Sequence, residues 1–207
     1  MKRMALLGAS GHGKVVADLA LVSGWESISF FDDAWPSCAN NGRWPVCGDT
    51  NTLLNNLDDY DGVIVSIGDG NIRWQKHRLL QDAGARLITL IHPAAIVSPY
   101  ATIGQGSVVM AGAVINVDTE IGETCIINTG ATVDHDCRLG NAVHICPGAN
   151  LSGGVKVGPY SWVGVGAAVK QYVCIGDTVI AGAGAVVVND IQAGLTVIGN
   201  PARAMHQ

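Results

Sequence analysis

Residues 121–158 read IGETCIINTGATVDHDCRLGNAVHICPGANLSGGVKVG, and their spacing decides the fold. A branched aliphatic residue falls every sixth position: Ile121, Ile127, Val133, Leu139, Ile145, Leu151, Val157. Outward from this stretch the register runs from Val97 to Val188 without an insertion, with Ala181 the one first position that is not a branched aliphatic. The fifth position is small or slim throughout, from Ala101 and Ser107 through Cys125 and Cys137 to Ala185 and Ile191. Helices need a period near 3.6 and strands a period of 2, so a strict six fits short strands joined by tight turns. The dipeptide Ile/Leu/Val-Gly recurs at 103–104, 121–122, 139–140, 157–158 and 175–176. Three hexads therefore make one coil of a triangular prism. The recurring glycines are expected at one corner, where glycine takes a positive φ without penalty. First and fifth positions are expected to fill the interior of a parallel β-solenoid.

The chain has 207 residues, and its composition changes near residue 90. Four of the five tryptophans and most helix-like segments precede that point, so we expect an N-terminal domain over 1–90 and a solenoid domain over 91–207. Twenty-seven glycines suit corners and a glycine-rich loop. A net charge of −5 without a lysine or arginine run argues against nucleic acid or an anionic membrane as partner. The apolar run after Met1-Lys2-Arg3 ends at Gly8, too short for a signal peptide, and no stretch has the length of a membrane span. The six cysteines show no metal-ligand spacing, so free thiols in a reducing cytoplasm, and no metal, are expected.

In the first ninety residues, Met4-Ala5-Leu6-Leu7 reads as a strand entering Gly8-Ala9-Ser10-Gly11-His12-Gly13, and a helix follows from Lys14. Strand, glycine turn and helix N-terminus present unpaired N–H groups to an anion. The glycines follow GxxGxG, not the GxGxxG of dinucleotide sites, so an NAD site is not indicated. A second strand, Ser27 to Phe31, ends in Asp32-Asp33, and a third, Gly62 to Ile67, runs into Gly68 and a helix. A last strand is expected from Arg86 to Ile91. Such a Rossmann-like βαβαβ unit holds one nucleotide at the carboxyl ends of its strands.

Within the solenoid, the informative residues are those the repeat does not require. His135 sits on a turn between Asp134 and Asp136. An imidazole accepts a proton near neutral pH, and either neighbouring carboxylate can stabilise the cation. His144 lies half a coil away from it, and Asn128 follows a first-position isoleucine. His12, His77, His92 and His206 show no partner spacing, and no Ser-His-Asp order is present.

The hexads, together with GASGHGKV, FFDD, SIGDGNIR, INTGATVDHDCRLG, VHICPGANLSGGVKVG and VIGNPAR, resemble the left-handed β-helix acyltransferases. The likeness is to the bacterial nucleotide-sugar acetyltransferases. These include the UDP-amino-sugar N-acetyltransferases of bacillosamine synthesis and the related sialic acid O-acetyltransferases. The resemblance implies a left-handed solenoid, a homotrimer and acetyl-CoA in the groove between neighbouring solenoids. It implies His135 as general base, Asp136 as its carboxylate partner and Asn128 near the acceptor. It places His144, Gly153, Val165 and Ala183 along the acetyl-CoA groove, with Ala183 where a relative has glycine. It places Ser10, Gly11, His12, Asp32, Asp33 and Gly68 around the nucleotide of the sugar. The implied reaction is direct acetyl transfer to the 4-amino group of a UDP-linked amino-dideoxy sugar. Alternative acceptors are a sialic acid hydroxyl or a GDP-linked amino sugar. A non-catalytic alternative is a trimeric scaffold or sugar-nucleotide sensor.

Overall fold

The computed structural model describes residues 2–205 and divides into two compact units, Met1–His92 and Pro93–Gln207; His206 lies outside the described residues. In chain order the first unit comprises β1 (Arg3–Leu7), α1 (Gly11–Val22), β2 (Ser27–Phe31), the short strands β3 (Asn40–Asn41) and β4 (Trp44–Pro45), α2 (Thr50–Leu54), β5 (Gly62–Val65) and α3 (Gly70–Asp82). Strands β1, β2 and β5 form a parallel sheet in the order β2-β1-β5. Four of the five β1 residues and all four of β5 are buried, the unbroken apolar run expected of parallel strands covered on both faces. Ala5, Leu7, Phe31, Leu53, Val63 and Leu80 meet in one core. The strand expected from Arg86 to Ile91 is not continuous. Leu87 makes one bridge to Val63, and a tight turn in which its N–H donates to the Ala85 carbonyl breaks the ladder, leaving Leu90–Ile91 as a separate short strand. The antiparallel pair β3–β4 and the short helix α2 are further elements that the sequence pattern does not signal.

The second unit is a parallel β-solenoid built from two-residue strands. Its first side carries Ile96–Val97, Val114–Ile115, Thr132–Val133, Asn150–Leu151, Ala168–Val169 and Val186–Val187. The second side carries Thr102–Ile103, Glu120–Ile121, Arg138–Leu139, Lys156–Val157 and Cys174–Ile175. The third carries Val108–Val109, Ile126–Ile127, His144–Ile145, Trp162–Val163, Ile180–Ala181 and Thr196–Ile198. Pairs such as Val114↔Thr132 and Ile126↔His144 set the coil at eighteen residues. First and fifth positions share one core. Where the fifth residue is polar or a thiol, its side chain donates to the carbonyl fifteen residues on: Ser107 to Gly122, Thr119 to Asp134, Cys125 to Gly140, Cys137 to Ser152, Ser161 to Gly176.

Two readings of the corner are corrected. The glycines at 104, 122, 140, 158 and 176 do not have positive φ; a Cβ there would strike the coil stacked on it. At Gly104, for instance, it would lie 2.5 Å from the Glu123 nitrogen. The left-handed position is instead the fourth of each hexad from 106 to 184, filled by glycine at seven places and at the others by Asp118, Thr124, Asp136, Ala142, Tyr160, Tyr172 and Thr178. The register also shortens at the end. Ile191 bridges Ile175, and Thr196 pairs with Ile180, sixteen residues apart, so Ile191 takes a first position and not the expected fifth.

Candidate active site

The turn from the first to the second side carries Asp134, His135 and Asp136. The left-handed φ of 59° at Asp136 folds its carboxylate back onto the preceding ring, and His135 Nδ1–H donates to Asp136 Oδ2 at 2.7 Å. That bond fixes the tautomer and leaves Nε2 as the atom that can take a proton. The same bond raises the pKa of His135 above its ordinary value; partial desolvation opposes it, and the charges of Asp134 and Asp136 add to it. Asp134 is occupied otherwise: it accepts from Asn116 Nδ2 at 2.8 Å and from the His135 N–H, which hold its carboxyl below the usual range. Of the two carboxylates open in the sequence, Asp136 is the partner. Gly153 lies one coil on, against the ring; a Cβ there would sit 2.6 Å from Nε2. The imidazole is 47% exposed, open to a substrate on its outer face.

Asn128, His144, Val165 and Ala183 form a second group, on the third side and the corner joining it to the first. Asn128 Oδ1 accepts from the Thr129 N–H at 2.8 Å, which turns its amide nitrogen toward His144 Nε2 at 3.0 Å. His144 Nε2 therefore accepts, so its ring is neutral with the proton on Nδ1. The Trp162 indole lies 4.2 Å from that ring, centroid to centroid. Val165 and Ala183 are exposed at the corner beyond. The strand Thr132–Val133 separates Asn128 from His135, so one prism carries these two groups at opposite edges of its first side. Among the described residues no group of three or more His, Cys, Asp or Glu side chains could hold a metal ion.

In the first unit, the loops after β1, β2 and β5 gather at the carboxyl end of the sheet. The order β2-β1-β5 puts a topological switch point between β1 and β5. Ser66 Oγ ties the two loops there by donating to the Gly8 carbonyl at 2.7 Å. Gly8, with φ 115°, makes the turn, and Gly13 allows close packing, since a Cβ would lie 2.5 Å from the Gly8 oxygen. Gly11 and Gly68 have nothing within 4 Å of a built Cβ, so neither is demanded by packing. Ser10 is the N-cap of α1 in extended conformation, with its side chain not used for capping. His12 is held neutral by burial and by the nearby Arg73 charge, with a pKa lowered to about 4. Asp32 accepts from the Ala9 N–H at 2.7 Å and from that of Ala34. Asp33 accepts from Thr50 and from Lys76 Nζ at 2.6 Å. Desolvation works to raise its pKa, but these bonds prevail and hold it at about 2. Arg73, 1% exposed, was not anticipated. Its Nη1 donates to the carbonyls of Ile67 and Gly68, at 3.0 and 2.7 Å, and so shapes the Gly68 loop. The signal was available: Arg73, His77 and Leu80 are spaced as one buried helix face.

This chain is similar over nearly its whole length to the acetyltransferase domain of PglB from Neisseria gonorrhoeae FA1090, solved in complex with acetyl coenzyme A. The two are 47% identical with a TM-score of 0.94, and 99% of each chain is covered. The chain belongs to the hexapeptide-repeat nucleotide-sugar N-acetyltransferases. A second family likeness is to PerB from Caulobacter crescentus in complex with CoA and GDP-perosamine: 40% identity, TM-score 0.94, covering 100% of this chain and 98% of that one. Residues 3–80 match the PglD N-terminal domain. A UDP-N-acetylbacillosamine N-acetyltransferase from Bacillus subtilis (strain 168) is 39% identical over 114 residues, 54% of this chain. That match spans 52% of the relative, about half its length.

Proposed function

We propose that this N-acetyltransferase moves the acetyl group of acetyl-CoA onto the 4-amino group of a UDP-linked amino-dideoxy sugar of the bacillosamine type. The observation that carries the reading is the 2.7 Å bond between His135 Nδ1 and Asp136, which leaves Nε2 basic and facing outward beside Gly153. In a ternary complex, Nε2 takes a proton from the amine as its nitrogen attacks the thioester carbonyl. Asp136 stabilises the imidazolium, a backbone N–H steadies the oxyanion, and CoA leaves as the thiol. No covalent acyl-enzyme is needed. Asn128 and His144, with Val165 and Ala183, would line the path of the acceptor amine and the pantetheine. Because they lie across a whole strand from His135, the reading includes a homotrimer in which each groove takes His135 from one solenoid and the Asn128 corner from its neighbour. The nucleotide would lie at the switch point of the first unit, near Ser10, Gly11, His12, Asp32, Asp33 and Gly68. Here the backbone at Gly11 and Gly68 leaves open space for close approach. No helix among the described residues is long and apolar enough to cross a membrane. A cytoplasmic setting, where acetyl-CoA is available, is part of the proposal.

General base catalysis is worth roughly 10²–10⁴-fold, so His135→Ala should lower kcat by about that factor while acetyl-CoA still binds. An unimpaired variant overturns the assignment. The acceptor is tested by offering a UDP-4-amino sugar, GDP-perosamine and a sialic acid with acetyl-CoA and following free thiol. The GDP-linked amine is the second reading, favoured by the likeness to PerB, whose structure holds GDP-perosamine.

A further inference from the structure

Two of the six cysteines lie on the excursion between β2 and α2 that frames Asp32 and Asp33. Within it, Asn40 pairs with Pro45 and Asn41 with Trp44 around the two-residue tip Gly42-Arg43. The Val46 N–H donates to the Ala39 carbonyl at 3.0 Å, carrying the register one step further. Carried one step beyond the last bonded pair, the same register sets Cys38 opposite Cys47, with the Cys38 N–H bonded outside the ladder to the Ala34 carbonyl. In an antiparallel pair hydrogen-bonded and non-hydrogen-bonded positions alternate. Since Ala39 and Val46 are hydrogen-bonded, and Pro45 has no N–H to give, Cys38 and Cys47 fall at a non-hydrogen-bonded position. Opposed Cα atoms at such a position are about 4.5 Å apart, inside the window of about 4.4–6.8 Å that a disulfide spans. Both thiols are free, Cys47 exposed and Cys38 partly so, with Cys38 Sγ 3.8 Å from the Asn40 carbonyl on the same stretch.

We propose that Cys38 and Cys47 form a reversible cross-strand disulfide that locks this hairpin onto the glycine-rich loop. The hairpin touches that loop through Asn41, a buried side chain whose Nδ2 donates to the Ser10 carbonyl at 3.0 Å. The Cys47 N–H is itself bonded to the Phe30 carbonyl at 2.7 Å, so one end of the bridge stands on the sheet. The oxidant is a low-molecular-weight disulfide such as oxidised glutathione. The exposed Cys47 thiolate attacks one of its sulfurs, forming a mixed disulfide and releasing one glutathione thiolate. Cys38 thiolate then attacks the Cys47 sulfur and releases the second. Two protons leave the protein thiols for the two departing thiolates, and two electrons pass to glutathione. Any effect on catalysis rests on the nucleotide site proposed above, but the bond itself does not, so it is tested without activity.

The full chain is equilibrated with oxidised glutathione, its remaining thiols are alkylated, and it is nicked with trypsin at the exposed tip residue Arg43, which lies between the two cysteines. The expected result is loss of two alkylatable thiols, mapped to Cys38 and Cys47, and release of two glutathiones for each one consumed. The nicked fragments should stay joined until a reductant is added. Cys38→Ser should leave glutathione attached at Cys47 and let the fragments part without reductant. The proposal is overturned if the wild-type chain keeps a glutathione on Cys47 while Cys38 stays alkylatable. Pairing of either thiol with another cysteine or with a second copy of the chain also overturns it.

Discussion

Asp136 acts on His135 through one bond, and that bond has a pH signature. Because the base proposed above must be unprotonated to act, a raised His135 pKa is expected to push the acid limb of kcat/KM upward in pH. Asp136→Asn should move the limb down, toward or below the ordinary histidine range, while lowering kcat; a pH–rate profile reads both. Gly153→Ala should cost roughly 10²-fold in kcat, because a Cβ 2.5 Å from His135 Cε1 must swing the ring off its line. Circular dichroism should show the variant still folded. His12 gives a stability prediction. Its folded pKa of about 4 lies below the ordinary 6.5, so the unfolded chain binds more protons between these values. Stability is then full above pH 6.5 and falls as pH drops toward 4, by at most about 3 kcal/mol. Urea unfolding at pH 7 and pH 5 should show the loss, and His12→Gln should flatten it. The residues alone singled out His135 as a candidate base and left Asp134 and Asp136 equal as its partner; only the family resemblance pointed to Asp136. What separates them is the left-handed fourth position, a property of the coil that no single residue type announces.

At the scale of the hexad, glycine serves two purposes that the sequence merges. Gly122 is demanded by the stacked coil: a Cβ would lie 2.8 Å from the Asn141 nitrogen and from the Gly140 carbonyl carbon. Gly130 is demanded only by its φ of 64°, with open space around it. Gly122→Ala should therefore destabilise by about 1–3 kcal/mol, since backbone cannot rotate aside. Gly130→Asn should stay within about 0.5 kcal/mol, because asparagine visits this conformation readily. Equal midpoints in denaturant would refute the distinction. The period of six was legible because large first and small fifth residues must fill a narrow interior. The first unit was less legible. The turn at Leu87 is a bond only two residues long that no residue type signals. The β3–β4 hairpin is anchored by bonds to distant segments, from Asn41 to the Ser10 carbonyl and from the Cys47 N–H to the Phe30 carbonyl. Arg73 was hidden by the expectation that a charge faces water.

For the whole molecule, the separation of His135 from the Asn128–His144 pair predicts complementation. Impaired His135→Ala and His144→Ala chains, unfolded together and refolded as a mixture, should regain activity well above that of either alone; a mixture no more active than its parents would place the whole site in one chain. The end of the solenoid bears on a different matter. A stack of parallel strands presents open backbone at its last coil, as a fibril does at its tip, and invites another chain to add on. Here the final coil is shortened by two residues, and Thr196–Ile198 pairs antiparallel with Arg203–Ala204. The Val186 N–H is bonded to Gly199 and its carbonyl to Ala202. Folding the growing edge back on itself in this way takes backbone groups of the last coil out of reach of a second chain, so the parallel stacking that would propagate in a fibre is interrupted by an antiparallel turn.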